Sequence, residues 1–82
     1  MHIPHELQEE FPDEAALMAR LTNTNYLFRR LASRYDAANR QIFGIESGEE
    51  PTTDGVLEKL KKVRLKLKDQ IARMLTRVEC RM

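Results

Sequence analysis

From Leu17 onward, seam residues recur in alternating steps of four and three: Leu17, Leu21, Thr24, Phe28, Leu31, Tyr35, Ala38, Ile42 and Ile45. Thr24 alone in that series is polar. A repeat of 3.5 residues keeps one stripe on one side of a helix, as in a coiled-coil seam. No Gly or Pro falls between Asp13 and Phe43, so the pattern predicts a single continuous helix over about 12–46. Pro12 suits its first position, and Asp13 and Glu14 place negative charge where the helix dipole favours it. A second series, Leu57, Leu60, Arg64, Leu67, Ile71, Met74 and Val78, predicts another helix over about 53–80, with Arg64 its exception.

Breakers separate the two series. Gly44 falls in the last turn of the first helix, and Gly48 is the candidate for its left-handed cap. Pro51 forbids continuation, and Thr52 or Thr53 supplies an N-cap hydroxyl for the next helix. A turn over about 47–52 therefore folds the second helix back on the first. The two series also fit each other: pairing Ile45 with Leu57 sets Ile42 against Leu60, Ala38 against Arg64 and Tyr35 against Leu67. Leu31 then meets Ile71, Phe28 meets Met74, Thr24 meets Val78 and Leu21 meets Arg81. Every seam position finds a seam position, and the two polar exceptions fall in different layers. The predicted fold is all-α: an antiparallel two-helix hairpin over 12–82.

Ahead of it, residues 1–11 form an N-terminal arm. Pro4 suits the start of a short helical turn through His5, Glu6, Leu7 and Gln8, and Leu7 and Phe11 share a face four residues apart.

Two helices side by side bury one stripe each, and this chain has more apolar side chains than that. Leu27, Val56 and Val63 lie on one flank of the seam, Met18, Ala32 and Leu75 on the other, with Leu65, Phe43 and Tyr26 further out. An 82-residue chain buries too little surface to be more than marginally stable as a bare hairpin. The expected resolution is self-association into a helical bundle, with Leu27, Val56 and Val63 as the candidate face. The competing expectation is that the arm, through Leu7 and Phe11, covers the surplus.

Composition narrows the function. Hydrophobic residues make up 41% and charged ones 33%, a mixture typical of long helices. Cys80 is the single cysteine, which excludes an intrachain disulfide or a Cys-rich zinc module. No apolar run exceeds five residues, so a cytoplasmic protein without a membrane span or signal peptide is expected. Net charge is +1, yet residues 1–50 carry five Arg and nine acids, while residues 51–82 carry nine Lys or Arg and four acids. The densest basic stretch is Lys59, Lys61, Lys62, Arg64, Lys66 and Lys68. It is a candidate face for a partner or for phosphate, although a solvated helix surface beside an acidic partner helix has the same appearance. Arg64 has two readings: its aliphatic stem fills space beside Ala38 while the guanidinium reaches Asp36 or the Asn39 side-chain oxygen, or it is a polar seam residue that fixes register or selects a partner.

Chemistry is scarce. His2 and His5 are too few for a metal site, Cys80 sits beside the terminus, and Glu49-Glu50 reads as a turn. No phosphate loop, His-Glu metal pair or nucleophile elbow occurs. No catalytic, cofactor or metal residue is assigned, and no enzyme, small-molecule substrate or membrane partner is expected.

Leu60-Lys61-Lys62-Val63-Arg64-Leu65-Lys66-Leu67-Lys68-Asp69 resembles the signature of the YdcH-like family, small bacterial proteins of unknown function. The resemblance extends through Ile45-Glu46, Gly48, Glu50-Pro51-Thr52, Asn39 with Ile42, and His5-Glu6-Leu7 to Glu10-Phe11-Pro12. Gln70 stands where an acid commonly follows Lys-Asp, and Thr22 where Lys is common. The resemblance implies a bacterial cytoplasmic helical hairpin and no mechanism. The expected function is a non-enzymatic interaction or assembly module, partnered by itself and by an unidentified protein. The alternative is a weak, sequence-indifferent nucleic-acid binder using Lys59, Lys61, Lys62, Lys66 and Lys68; the absence of an aromatic platform beside those lysines argues against it.

Overall fold

Helix propensity and the 3.5-residue stripe produce four α-helices in the computed structural model, which describes residues 3–49 and 52–81 and the side chains up to Glu79. His2, Glu50 and Pro51, and the side chains of Cys80 and Arg81, lie outside the described residues. The helices are α1 (Leu7–Glu10), α2 (Ala15–Thr24), α3 (Tyr26–Glu46) and α4 (Asp54–Arg81), with a 3-10 turn over Pro12–Glu14. No strand occurs among the described residues, so the fold is all-α. None of these helices is long and apolar enough to cross a membrane.

The turn follows local chemistry. Gly48 adopts φ +82°, its N–H donates to the Ile45 carbonyl, and the Glu49 N–H donates to the Gly44 carbonyl at 3.0 Å. This Schellman arrangement satisfies carbonyls that the end of α3 would otherwise leave unpaired. Thr53 Oγ1 accepts from the Val56 N–H at 3.4 Å, the N-cap role expected of Thr52 or Thr53.

The expected continuous helix over 12–46 is corrected at Asn25. Here the backbone is extended (φ −127°, ψ 111°), and the Asn25 side chain accepts from the Phe28 N–H at 3.0 Å. Asn25 thus ends α2 and caps α3. The residues before it weaken the helix themselves, since Thr22, Asn23 and Thr24 turn their side chains back onto the carbonyls of Met18, Ala19 and Arg20. Thr24, placed in the seam by the repeat, is exposed, while Met18 and Leu21 are buried. Asn25→Ala should cost about 1 kcal/mol in urea unfolding, the usual cost of a lost cap. A stability gain, with α2 and α3 fused, would show that tertiary packing does not hold the break.

α3 and α4 run in opposite directions. Glu46, at the end of α3, meets Lys61 at 3.2 Å, and Asn39, about two turns earlier, meets Arg64 at 3.0 Å. Phe28, Tyr35, Leu67, Ile71 and Leu75 form the shared core with Met18 and Leu21 of α2. The molecule measures 45 × 25 × 19 Å.

The arm begins its helix later than expected. The helical turn predicted over His5–Gln8 runs from Leu7 to Glu10, preceded by a turn at Pro4 and His5. His5 takes a left-handed φ of 62°, uncommon for a residue with a side chain. Leu7 and Phe11 pack against the core, as the competing expectation for the arm had it.

Candidate functional site

Each seam residue of α3 and α4 has a neighbour on either flank, and the two flanks differ. On the first lie Met18, Ala32, Asn39 and Glu46, facing Lys61, Lys68 and Leu75. The arm covers this side. Asn39 Nδ2 donates to the Pro4 carbonyl at 3.0 Å, the Tyr35 hydroxyl donates to the His5 carbonyl, and Asn39 Oδ1 accepts from Arg64 Nη1 at 3.0 Å. Of the two partners expected for Arg64, the structure selects Asn39, and Asp36 instead pairs with Arg40 at 2.9 Å. Asn39 therefore uses both ends of its amide, and at 2% exposure neither end has access to bulk water.

Glu10 ties the arm down electrostatically. Its Oε1 lies 3.0 Å from His5 Nδ1 and its Oε2 lies 3.5 Å from Lys68 Nζ. Burial pushes the Glu10 carboxyl up, but the His5 hydrogen bond and the Lys68 charge outweigh it and hold the group below the usual glutamate value. Burial, followed by the Glu10 charge, raises the Tyr35 hydroxyl above its ordinary value. A cleft of about 180 Å³ remains between arm and α4, lined by His5, Glu10, Tyr35, Lys61, Arg64, Leu65 and Lys68. No group of three or more His, Cys, Asp or Glu able to hold a metal occurs among the described residues.

The sign of the pH effect follows. A carboxyl with a depressed folded pKa stabilises fully above its unfolded value, about 4.3, and loses that contribution as pH falls through the folded value. Wild-type protein should exceed Glu10→Gln in stability by about 1 kcal/mol near neutrality, and the difference should shrink as pH falls through the folded Glu10 value. A difference that stays constant from pH 7 to 3 would remove the ionised Glu10 from the docking of the arm. Tyr35 acts at the opposite end: its contribution is complete below about pH 10 and is lost as pH rises through its folded value.

The second flank is open. Its row consists of the residues one position before the buried or half-buried series Phe28, Tyr35, Ile42, Leu57, Arg64, Ile71 and Val78. These are Leu27, Arg34 and Gln41 on α3, and Val56, Val63, Gln70 and Arg77 on α4, and all are exposed. Leu27 is 63% exposed, Val56 44% and Val63 47%. The three apolar candidates share a flank without forming one compact patch. Asn39 lies level with Arg64, so Leu27 sits about 18 Å along the axis from Val63, and Val56 about 10 Å beyond Val63 in the other direction. Half of the apolar surplus expected to drive self-association is absorbed internally: Met18 and Leu75 are buried and Ala32 packs on the core.

The basic run divides between the flanks. Lys61 and Lys68 turn to Glu46 and Glu10, and Arg64 to Asn39. Lys59, Lys62 and Lys66 remain exposed on the rest of α4. The sequence reading missed the polar tie between the arm and α3, because its acceptors are main-chain carbonyls that any residue carries.

The profile of a family described as "Protein of unknown function (DUF465)" matches residues 28–75, more than half of the chain. The chain belongs to the DUF465 family. YdcH-like proteins belong to this same family, so the resemblance carried by Leu60–Asp69 is shown. The DUF465 match takes in nearly all of α3 and most of α4, including Asn39 and Arg64, and stops short of the arm and α2. No curated protein and no solved structure gives a significant match.

Proposed function

We propose that this DUF465 chain is a small, non-enzymatic interaction module, and that its partner docks on the open flank bearing Leu27, Val56 and Val63. The carrying observation is the asymmetry of the two flanks: one is closed by the chain's own arm, and the other keeps three large apolar side chains in water. Spaced along one flank rather than gathered in a patch, these side chains suit an elongated partner that runs along the helices. Photo-crosslinking residues at positions 27 and 63 should give protein adducts in the native cell that survive nuclease, and residues at Tyr26 or Leu65 should not. Equal adducts from all four positions would sink the assignment of this flank.

Nucleic-acid binding is the second reading, supported by the exposure of Lys59, Lys62 and Lys66. It is weakened where Lys61 and Lys68 are engaged with carboxylates. Counterion release would make such binding fall steeply with salt. A flat response leaves these lysines as solvated surface.

A further inference from the structure

Positive charge predominates on the open flank. Arg34 and Arg77 lie in the row of Leu27, Val56 and Val63, and Arg30 on α3 with Lys59, Lys66 and Arg73 on α4 run beside it, all exposed. None of them pairs with a carboxylate among the described residues. The acids of α3 are engaged elsewhere, Asp36 with Arg40 and Glu46 with Lys61, and Asp69 of α4 shares a shallow depression with Val63 and Lys66. The result is an exposed flank with separated apolar positions and a predominance of positive charge among and beside them.

We propose that this flank takes an acidic amphipathic helix of a partner protein, its apolar stripe on Leu27, Val63 and Val56 and its carboxylates on the neighbouring cations. The assignment rests on the open flank being the docking surface and names the chemistry of what docks there. The anchors span roughly 28 Å, the length of a helix of about 20 residues, which suits an amphipathic partner helix lying along the flank. The occupied flank shows the same chemistry within the chain: the arm presents Leu7 and Phe11 to the core while Glu10 reaches Lys68. Residues 1–14 hold five acids and no Lys or Arg.

Two other occupants fit less well. A second copy docked by the same flank would set cations against cations at contact distance, inside the screening length of physiological salt. A phosphate backbone would satisfy the cations but leave Leu27, Val56 and Val63 without a use, and the described row offers no aromatic ring for base stacking.

The test is fluorescence anisotropy of the full chain with a synthetic 20-residue helical peptide carrying Leu at heptad a and d and Glu at e and g. Controls replace its Leu by Ser, or its Glu by Lys, and a 20-base-pair DNA duplex is titrated in parallel. Binding of the acidic Leu peptide should weaken about tenfold in Lys66→Glu with Arg73→Glu, and about tenfold in Leu27→Ser with Val63→Ser. Arg29→Glu, on another face of α3, should leave it unchanged. Equal binding of the Ser peptide, or tighter binding of the duplex, overturns the proposal in favour of a charge-only or phosphate surface. A sedimentation mass above the monomer that falls in Leu27→Ser with Val63→Ser overturns it in favour of a second copy. Crosslinks from positions 27 and 63 without peptide binding would keep the flank as an interface and overturn only the acidic helix; loss of both would overturn the interaction module as well.

Discussion

Phe28→Ala should lower the unfolding free energy by about 3–5 kcal/mol, the cost of emptying a well-packed aromatic site. Phe28 is 1% exposed and belongs to the core that joins α2, α3 and α4. Its backbone N–H is the one capped by Asn25, so the ring fixes the position where the chain changes direction. Small domains hold only about 5–10 kcal/mol in total. The variant should therefore lose most of its helical circular-dichroism signal at moderate urea, if not before. Exposed apolar positions set the scale: Leu27→Ala, at 63% exposure, should stay within about 0.5 kcal/mol. A Phe28→Ala loss below about 1.5 kcal/mol would mean that the core is not centred on this junction.

Asn39→Leu should cost about 2–4 kcal/mol although volume is nearly preserved, because it strands polar groups on both sides. The Arg64 guanidinium loses its acceptor at a seam position, and the Pro4 carbonyl loses its donor. Replacing both partners separates this from a simple packing loss. Asn39→Leu with Arg64→Met should recover about 1–3 kcal/mol of coupling, since an apolar pair leaves no unmatched charge. Hydrogen exchange should report the second consequence: amides of Glu9, Glu10 and Phe11, which bond within the arm, should exchange faster once Pro4 is released. Additive single and double variants would show that Asn39 and Arg64 do not act as a pair. The surface ion pair Lys61–Glu46, with both side chains at least 40% exposed, should matter far less, by about 0–1 kcal/mol.

How much of this was legible beforehand differs from element to element. The seam of α3 and α4 was, because Phe28, Tyr35, Ile42, Leu67 and Ile71 follow a period that only a paired helix can bury. So was the turn: Gly48 and Thr53 act through their own backbone and nearest neighbours. The break at Asn25 was partly legible. Thr22-Asn23-Thr24-Asn25 is a run of cap-forming side chains, but the heptad spacing on either side of it predicted continuity. Sequence pattern alone does not weigh one local cap against a long stripe.

The candidate site divides along the same line. The sequence placed Leu27, Val56 and Val63 on one flank and Met18, Ala32 and Leu75 on the other, because helical periodicity assigns each residue to a face. Which flank stays open was decided by tertiary structure alone. The choice depends on Asn39 and Tyr35 reaching the carbonyls of Pro4 and His5, thirty or more residues away along the chain. Main-chain acceptors carry no side-chain signature, so no pattern in the sequence announces such contacts. The fate of the lysines was settled in the same way: they appear as one run in sequence, and only the placement of Glu10 and Glu46 gives Lys68 and Lys61 carboxylate partners while Lys59 and Lys66 face solvent. Local chemistry and periodicity thus determined the helices and their faces. Long-range contacts to featureless backbone decided which face is left for a partner.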